Sequence, residues 1–208
     1  MVPSVTASRS VLPLRGTAGS VAVVRAGELI AGYEPESELE RAMTEDPELL
    51  EGLAWGTPRP GHPEGSVAAH VSDLLRRIDA RGETGERRRL LRLLSIVHDA
   101  FKGRVNYRLP RMGENHHAMR ARRFAEGYTG EERVLTVIEL HDRPYGLWRR
   151  WRRTGELGEE AFEAMMGRVK DTELFLAFVE LDASTEGKHA EPVAWFREQL
   201  EIRGYPVP

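Results

Sequence analysis

Ser95-Ile96-Val97-His98-Asp99-Ala100-Phe101-Lys102 is an apolar run that ends in an adjacent imidazole and carboxylate, and the rest of the chain is organised around it. From about Glu86, the residues Leu90, Leu94 and Val97 recur at the 3.6-residue spacing of one helix face, so His98 and Asp99 arrive at the last turn. Alone, such a doublet caps a helix or meets solvent. Here it has company on both sides.

Upstream, Ser66 stands as an N-cap before Val67, Val71, Leu74 and Ile78, and His70 falls on the same stripe. Further back, Asp46-Pro47-Glu48 reads as an N-cap, a proline at the first helical position and an acidic first turn, opening a short helix through Leu53. Downstream, a helix over 115–128 aligns His117, Ala121, Phe124 and Tyr128 on one face, with His116 turned toward Arg120 and Arg123. Thr129 and Glu132 have capping-box spacing, and the stripe Val134, Val137, Ile138 continues to His141. A loop containing Pro144 and Gly146 is expected next. Further helices are expected within 157–170, over 172–182 with Phe175, Phe178 and Asp182 on one face, and across Val193, Phe196 and Leu200 before a C-terminal cap near Gly204. The pattern is all-α.

A chain of 208 residues buries one good core, so a single helical domain over 36–208 preceded by an extension over 1–35 is the expected organisation. Residues 1–20 are rich in Pro, Ser, Thr and Gly and read as irregular, and 21–30 as a short β-hairpin with β-branched residues around a glycine turn. Arg15-Gly16-Thr17-Ala18-Gly19-Ser20 lacks the lysine and glycine spacing of a phosphate loop and reads as plain loop. Hydrophobic residues make up 40% and charged residues 30%, with a net charge of -3, so no global attraction draws polyanions and any phosphate affinity must be local. With no cysteine, disulfides, thiolate metal sites and cysteine nucleophiles are excluded, and a reducing cytoplasm is the expected compartment. No apolar run approaches the roughly 20 residues that cross a bilayer, so no membrane partner is expected.

His70, His98, His117, His141 and Asp182 each sit on, or at the end of, the face their helix would bury. One such histidine is ordinarily a core residue satisfied by a hydrogen bond. Burying five uncompensated groups would cost several kcal/mol each, so a cation that accepts their lone pairs is the economical explanation. Imidazole with carboxylate suits Mn, Fe, Co, Ni or Zn better than calcium.

The order His70, His98-Asp99, His116-His117, His141, Asp182 resembles the HD-domain superfamily of metal-dependent phosphohydrolases over roughly 45–200. That resemblance implies an HD-type helical bundle and two divalent transition-metal ions. One ion would take His70, His98, Asp99 and Asp182; a second would share Asp99 and take His117 and His141, with His116 as the alternative to His117. Asp142 is expected to orient His141 or bind solvent. His98-Asp99-Ala100-Phe101-Lys102 resembles the HD-x-x-K form of the signature, in which the lysine meets substrate phosphate; the bland alternative is a snorkelling surface lysine. His62-Pro63-Glu64-Gly65-Ser66-Val67 resembles the entry to HD domains attached to bacterial RNA-repair and tRNA nucleotidyltransferase proteins, which makes His62 or Glu64 an acid or base; the same residues are also good turn chemistry.

Leu147-Trp148-Arg149-Arg150-Trp151-Arg152-Arg153 interleaves indoles with guanidiniums close to His141, and Arg108, Arg111, Arg120, Arg122 and Arg123 flank His117. With Lys102, the residues Arg120, Arg143, Arg149 and Arg150 are the candidates for holding substrate. The expected activity is hydrolysis of a nucleotide or RNA-end phosphate, a phosphomonoester or a 2′,3′-cyclic phosphodiester, by a water activated between the metals, with Asp99 bridging them. Two other readings stay open: a di-iron oxygenase with similar ligands, and a non-catalytic nucleotide-binding regulatory module. Lys102 and the arginines favour hydrolysis of a polyanion.

Overall fold

The computed structural model describes residues 25–58 and 63–207, and among them every regular element is helical. In order these are α1 (Ala26–Leu29), α2 (Glu38–Thr44), α3 (Pro47–Ala54), α4 (Val67–Ala80), α5 (Gly85–Val97), α6 (His117–Glu126), α7 (Glu132–Leu140), α8 (Arg143–Thr154), α9 (Glu159–Met166), α10 (Thr172–Ala183) and α11 (Glu191–Ile202). Short 3₁₀ turns at Lys102–Arg104 and Gly113–Asn115 lie between α5 and α6.

Several starts follow from side-chain caps. Asp46 accepts from Glu48 N at 2.7 Å, Ser66 from Ala69 N at 3.1 Å and Asp171 from Leu174 N at 2.9 Å, each satisfying an otherwise orphaned amide of a first turn. Three expectations are corrected. The capping box does not form: Thr129 Oγ1 accepts from Glu131 N, one residue before the helix, and α7 begins at Glu132. No loop surrounds Pro144 and Gly146. They lie inside α8, where proline is tolerated because a first-turn amide has no intrahelical acceptor to lose. Of the expected hairpin, 21–24 lie outside the described residues, and Ala26–Leu29 is helical; Ile30 and Tyr33 beyond it are buried in the same core as the bundle, so this part of the expected extension packs as core.

Three helices are buried almost all round: α5 from Leu90 to Val97, α7 from Val134 to Leu140, and α10 from Leu174 to Val179. A helix without a polar face belongs at the centre. The other helices bury one stripe each, as with Val67, Val71, Leu74 and Ile78 of α4. Arg92 of α5 grips Glu40 of α2 through two bonds of 3.0 and 2.9 Å, a fully buried ion pair that docks the first helices onto the core. Gly52 of α3 lies against the turn after α5 so closely that a Cβ there would stand 1.9 Å from the Ala100 carbonyl oxygen. Among the described residues, no helix is long and apolar enough to cross a membrane.

Candidate metal centre

The central helices α5, α7 and α10 end at one place. His98 and His141 are the C-caps of α5 and α7, and Asp182 is in the last turn of α10. Helix C-termini carry the negative end of the macrodipole, so their convergence favours a cation. His70, from the first turn of α4, and His117, the first residue of α6, complete the cluster.

Distances are short, and the groups are buried except Asp182, which is half-buried. Asp182 Oδ1 lies 2.9 Å from His70 Nε2 and 3.6 Å from His98 Nε2, and Asp99 Oδ2 lies 3.3 Å from His98 Nε2. The other oxygen of Asp99 faces the second half of the cluster, 3.3 Å from His117 Nε2 and 3.7 Å from His141 Nε2. Ligand atoms of His70, His98 and Asp99, and of Asp99, His117 and His141, fall within 4.8 Å of one another. The shorter separations, 2.9 to 3.3 Å, match the ligand edges of an ion with bonds of about 2.1 Å, which run from about 3.0 Å (octahedral) to about 3.4 Å (tetrahedral), and those of 3.6 and 3.7 Å lie just beyond. The sequence brought these six residues to one point, with Asp99 between the two halves.

Protonation makes the argument sharper. His98 Nδ1 donates to the Leu94 and Ser95 carbonyls at 3.1 Å each, and His141 Nδ1 donates to the Ile138 carbonyl at 2.8 Å. In the neutral rings this fixes the proton on Nδ1 and leaves a bare Nε2 lone pair. Those lone pairs point at carboxylate oxygens, acceptor against acceptor. His98 Nε2, His117 Nε2, His141 Nε2 and Asp99 Oδ1 are all buried without a hydrogen-bond partner among the described residues. Something positive belongs between them. Burial opposes charge on His98, but Asp99 and Asp182 outweigh it and hold its pKa above the ordinary value, as Asp182 and Glu64 do for His70. Burial likewise opposes ionisation of Asp99 and Asp182, and the neighbouring cations hold both well below the carboxylate range. The buried His/Asp groups fit a metal ion.

Two residues gain a role that the sequence had not given them. Asp142 does not sit behind His141 Nδ1, which the backbone already occupies. Its Oδ1 lies 3.4 Å from His141 Nε2 and its Oδ2 3.2 Å from His117 Nε2, on the ligand side, and with His116 and His117 it forms a third group able to hold an ion. The signal was present, since His141-Asp142 repeats His98-Asp99 at the end of another buried helix. Lys188 places Nζ 2.6 Å from Asp182 Oδ1, mirroring Lys102 Nζ at 2.5 Å from Asp99 Oδ2. No pattern flagged it, because it lies in the irregular segment between α10 and α11.

His117 rather than His116 enters the main cluster. His116 caps α6, accepting from Ala118 N at 3.2 Å, which spends its Nδ1 lone pair, though its ring stacks on His117 and it comes within reach of Asp142. Glu64 approaches His70 Nδ1 at 3.5 Å, the position of a group that orients a ligand, and with His70, Asp99 and Lys102 it bounds a cavity of about 10 Å³. His62 lies outside the described residues. Arg120 is half-buried on α6, whereas Arg122 and Arg123 are tied to Glu126, Glu132 and Glu114. Arg143, Arg149 and Arg150 are exposed on α8. No protein-family model, curated protein or solved structure matches the chain.

Proposed function

We propose that the chain is a metal-dependent phosphohydrolase acting on nucleotide or RNA-end phosphates, as a phosphomonoesterase, a 2′,3′-cyclic phosphodiesterase or both. The observation that carries this reading is the pair of His/Asp triads joined at Asp99, with ammoniums against Asp99 Oδ2 and Asp182 Oδ1 on the His98 side. His70, His98 and Asp182 would hold one divalent ion, His117, His141 and Asp142 the other, with Asp99 serving both. When bound, such ions supply Lewis-acid activation of a water and neutralise charge on the phosphoryl group.

Charge supports the substrate class. With the imidazoles in the neutral form that binds an ion, Asp99, Asp142, Asp182 and Glu64 bring four negative charges and Lys102 and Lys188 two positive ones, a balance of two negative. Two divalent ions would turn the site two charges positive, the complement of a phosphate monoester dianion. Once Asp99 and Asp182 are neutralised, the two ammoniums lose their partners and are placed to bind the non-bridging oxygens. Glu64 keeps the His70 ring in register.

The test is metal analysis of protein purified without chelator, followed by turnover of nucleotides, terminal phosphates and cyclic phosphates with added metals. Asp99→Ala is expected to lose bound metal and turnover while keeping its helical circular dichroism. Full activity in that variant refutes the proposal, and substrate-dependent oxygen uptake would replace it with the oxygenase chemistry.

A further inference from the structure

We propose that the outer face of α8 is a binding track for a single-stranded polynucleotide whose end lies at the metal centre. The placement of that end rests on the phosphohydrolase reading; the track itself does not.

The chain is acidic overall, with a net charge of -3, and it neutralises most arginines in place. Arg88, Arg92, Arg122, Arg133, Arg197 and Arg203 each meet a carboxylate. On α8 the habit breaks. Of its arginines at 143, 149, 150, 152 and 153, only Arg152 has a carboxylate within 4 Å among the described residues, Glu191 at 3.4 Å. Cations crowded on one helix without counter-charges repel one another, and an anionic partner relieves that.

Their arrangement selects the partner. At 100° per residue Pro144 and Leu147 turn inward with the half-buried Trp148, Trp151 lies exposed at the surface stacked on Trp195, and Tyr145, Arg149 and Arg153 form a ladder on the outer face beside Gly146 and Arg150. Tyr145 is 51% exposed, is backed by Trp148 at 5.7 Å between ring centres and has the Arg149 guanidinium 5.9 Å from its ring. Rings and guanidiniums of this kind stack on unpaired bases, which a duplex hides. Gly146 leaves open space that lets a backbone approach. From Arg143 to Arg153 the helix rises about 15 Å, the length of roughly four nucleotides stacked at about 3.4 Å, so a mononucleotide would engage only one end. A membrane surface fits less well because the aliphatic residues of α8, Pro144 and Leu147, are buried and only the rings of Tyr145 and Trp151 stand exposed among the arginines. The track begins at the site: Asp142, whose oxygens face His117 and His141, immediately precedes α8.

The experiment measures binding of the full chain to a labelled single-stranded RNA oligonucleotide with hydroxyl ends, which offers the metal centre no terminal phosphate. The oligonucleotide is expected to bind at least about tenfold more tightly than a nucleoside monophosphate. Arg149→Ala/Arg150→Ala/Arg153→Ala should weaken it and reduce the slope of log affinity against log salt by about 2, at about 0.7 per lost contact. The corresponding lysine variant should keep the slope, and Tyr145→Ala should weaken binding roughly fivefold or more. Unchanged circular dichroism and melting temperature establish that the variants are folded. Equal affinity for oligonucleotide and mononucleotide, an unaffected arginine variant, or equal binding to a duplex or to phosphatidylserine vesicles would each overturn the track. Oligonucleotide binding without phosphatase turnover in metal-loaded wild type would sink the enzymatic reading and leave the track standing.

Discussion

At the scale of single residues, the centre depends on which ring nitrogen carries the proton. Backbone carbonyls take Nδ1 of His98 and His141, so Nε2 faces the carboxylates. Asp142 gives the clearest consequence. Because its oxygens lie on the ligand side of His117 and His141, Asp142→Asn should, if the proposed pair of ions is bound, lower affinity for the one on that side, seen in titration calorimetry as loss of one of two binding events, while the His70 half still loads. Two undiminished events would return Asp142 to a solvent-facing role. Glu64→Gln tests orientation: the ring of His70 loses a charged partner at Nδ1, and metal affinity should fall about 10- to 100-fold, the usual effect of removing a group behind a ligand.

At the scale of elements, the design is three buried helices whose C-terminal ends meet. Most of this was legible. The apolar stripes of α4, α5, α7 and α10 ran directly into His70, His98, His141 and Asp182, because a residue that continues a buried stripe is itself directed inward. What remained hidden was set by contacts between elements. Asp142 follows a helix end and takes its direction from where α8 leaves, and α8 itself was masked by Pro144 and Gly146, whose breaker signals are weak within a first turn. Lys188 lies off any periodic pattern, and Thr129 has capping chemistry that the actual start of α7 bypasses. Gly52 shows how far such contacts reach. Gly52→Ala would force α3 away from Ala100, beside Asp99, costing about 1–3 kcal/mol by overpacking and lowering metal content with it. A variant that unfolds at lower temperature yet binds metal as tightly as wild type would mean that the turn is held by α5 alone. Arg92→Met should cost about 3–5 kcal/mol by stranding Glu40, with little effect on metal affinity once folded, because Arg92 is mid-helix and pairs with α2 rather than with any residue of the cluster.

At the scale of the whole molecule, the buried charges couple metal, protons and stability. His70 and His98 have folded pKa values raised above the unfolded value near 6.5, so their contribution is fully present below about pH 6.5 and lost as pH rises through the folded pKa. Asp99 and Asp182 are lowered, so theirs is present above about pH 4 and lost as pH falls through the folded pKa. Chelated protein should therefore be most stable in mildly acidic buffer and soften toward alkaline pH. Metal reverses the second trend, because an imidazole that has lost its proton is the form that binds an ion. At a free metal concentration about 100 times the dissociation constant, loading adds about 2.7 kcal/mol, which for a chain of 208 residues raises the melting temperature by roughly 5–10 °C. The gap between loaded and chelated melting temperatures should widen as pH is raised from about 6 to about 8, with protons released on loading in weakly buffered solution. A gap that stays constant, or closes, over that interval would mean that cations and protons do not compete for the same lone pairs, and the cluster would then be a set of internal ion pairs.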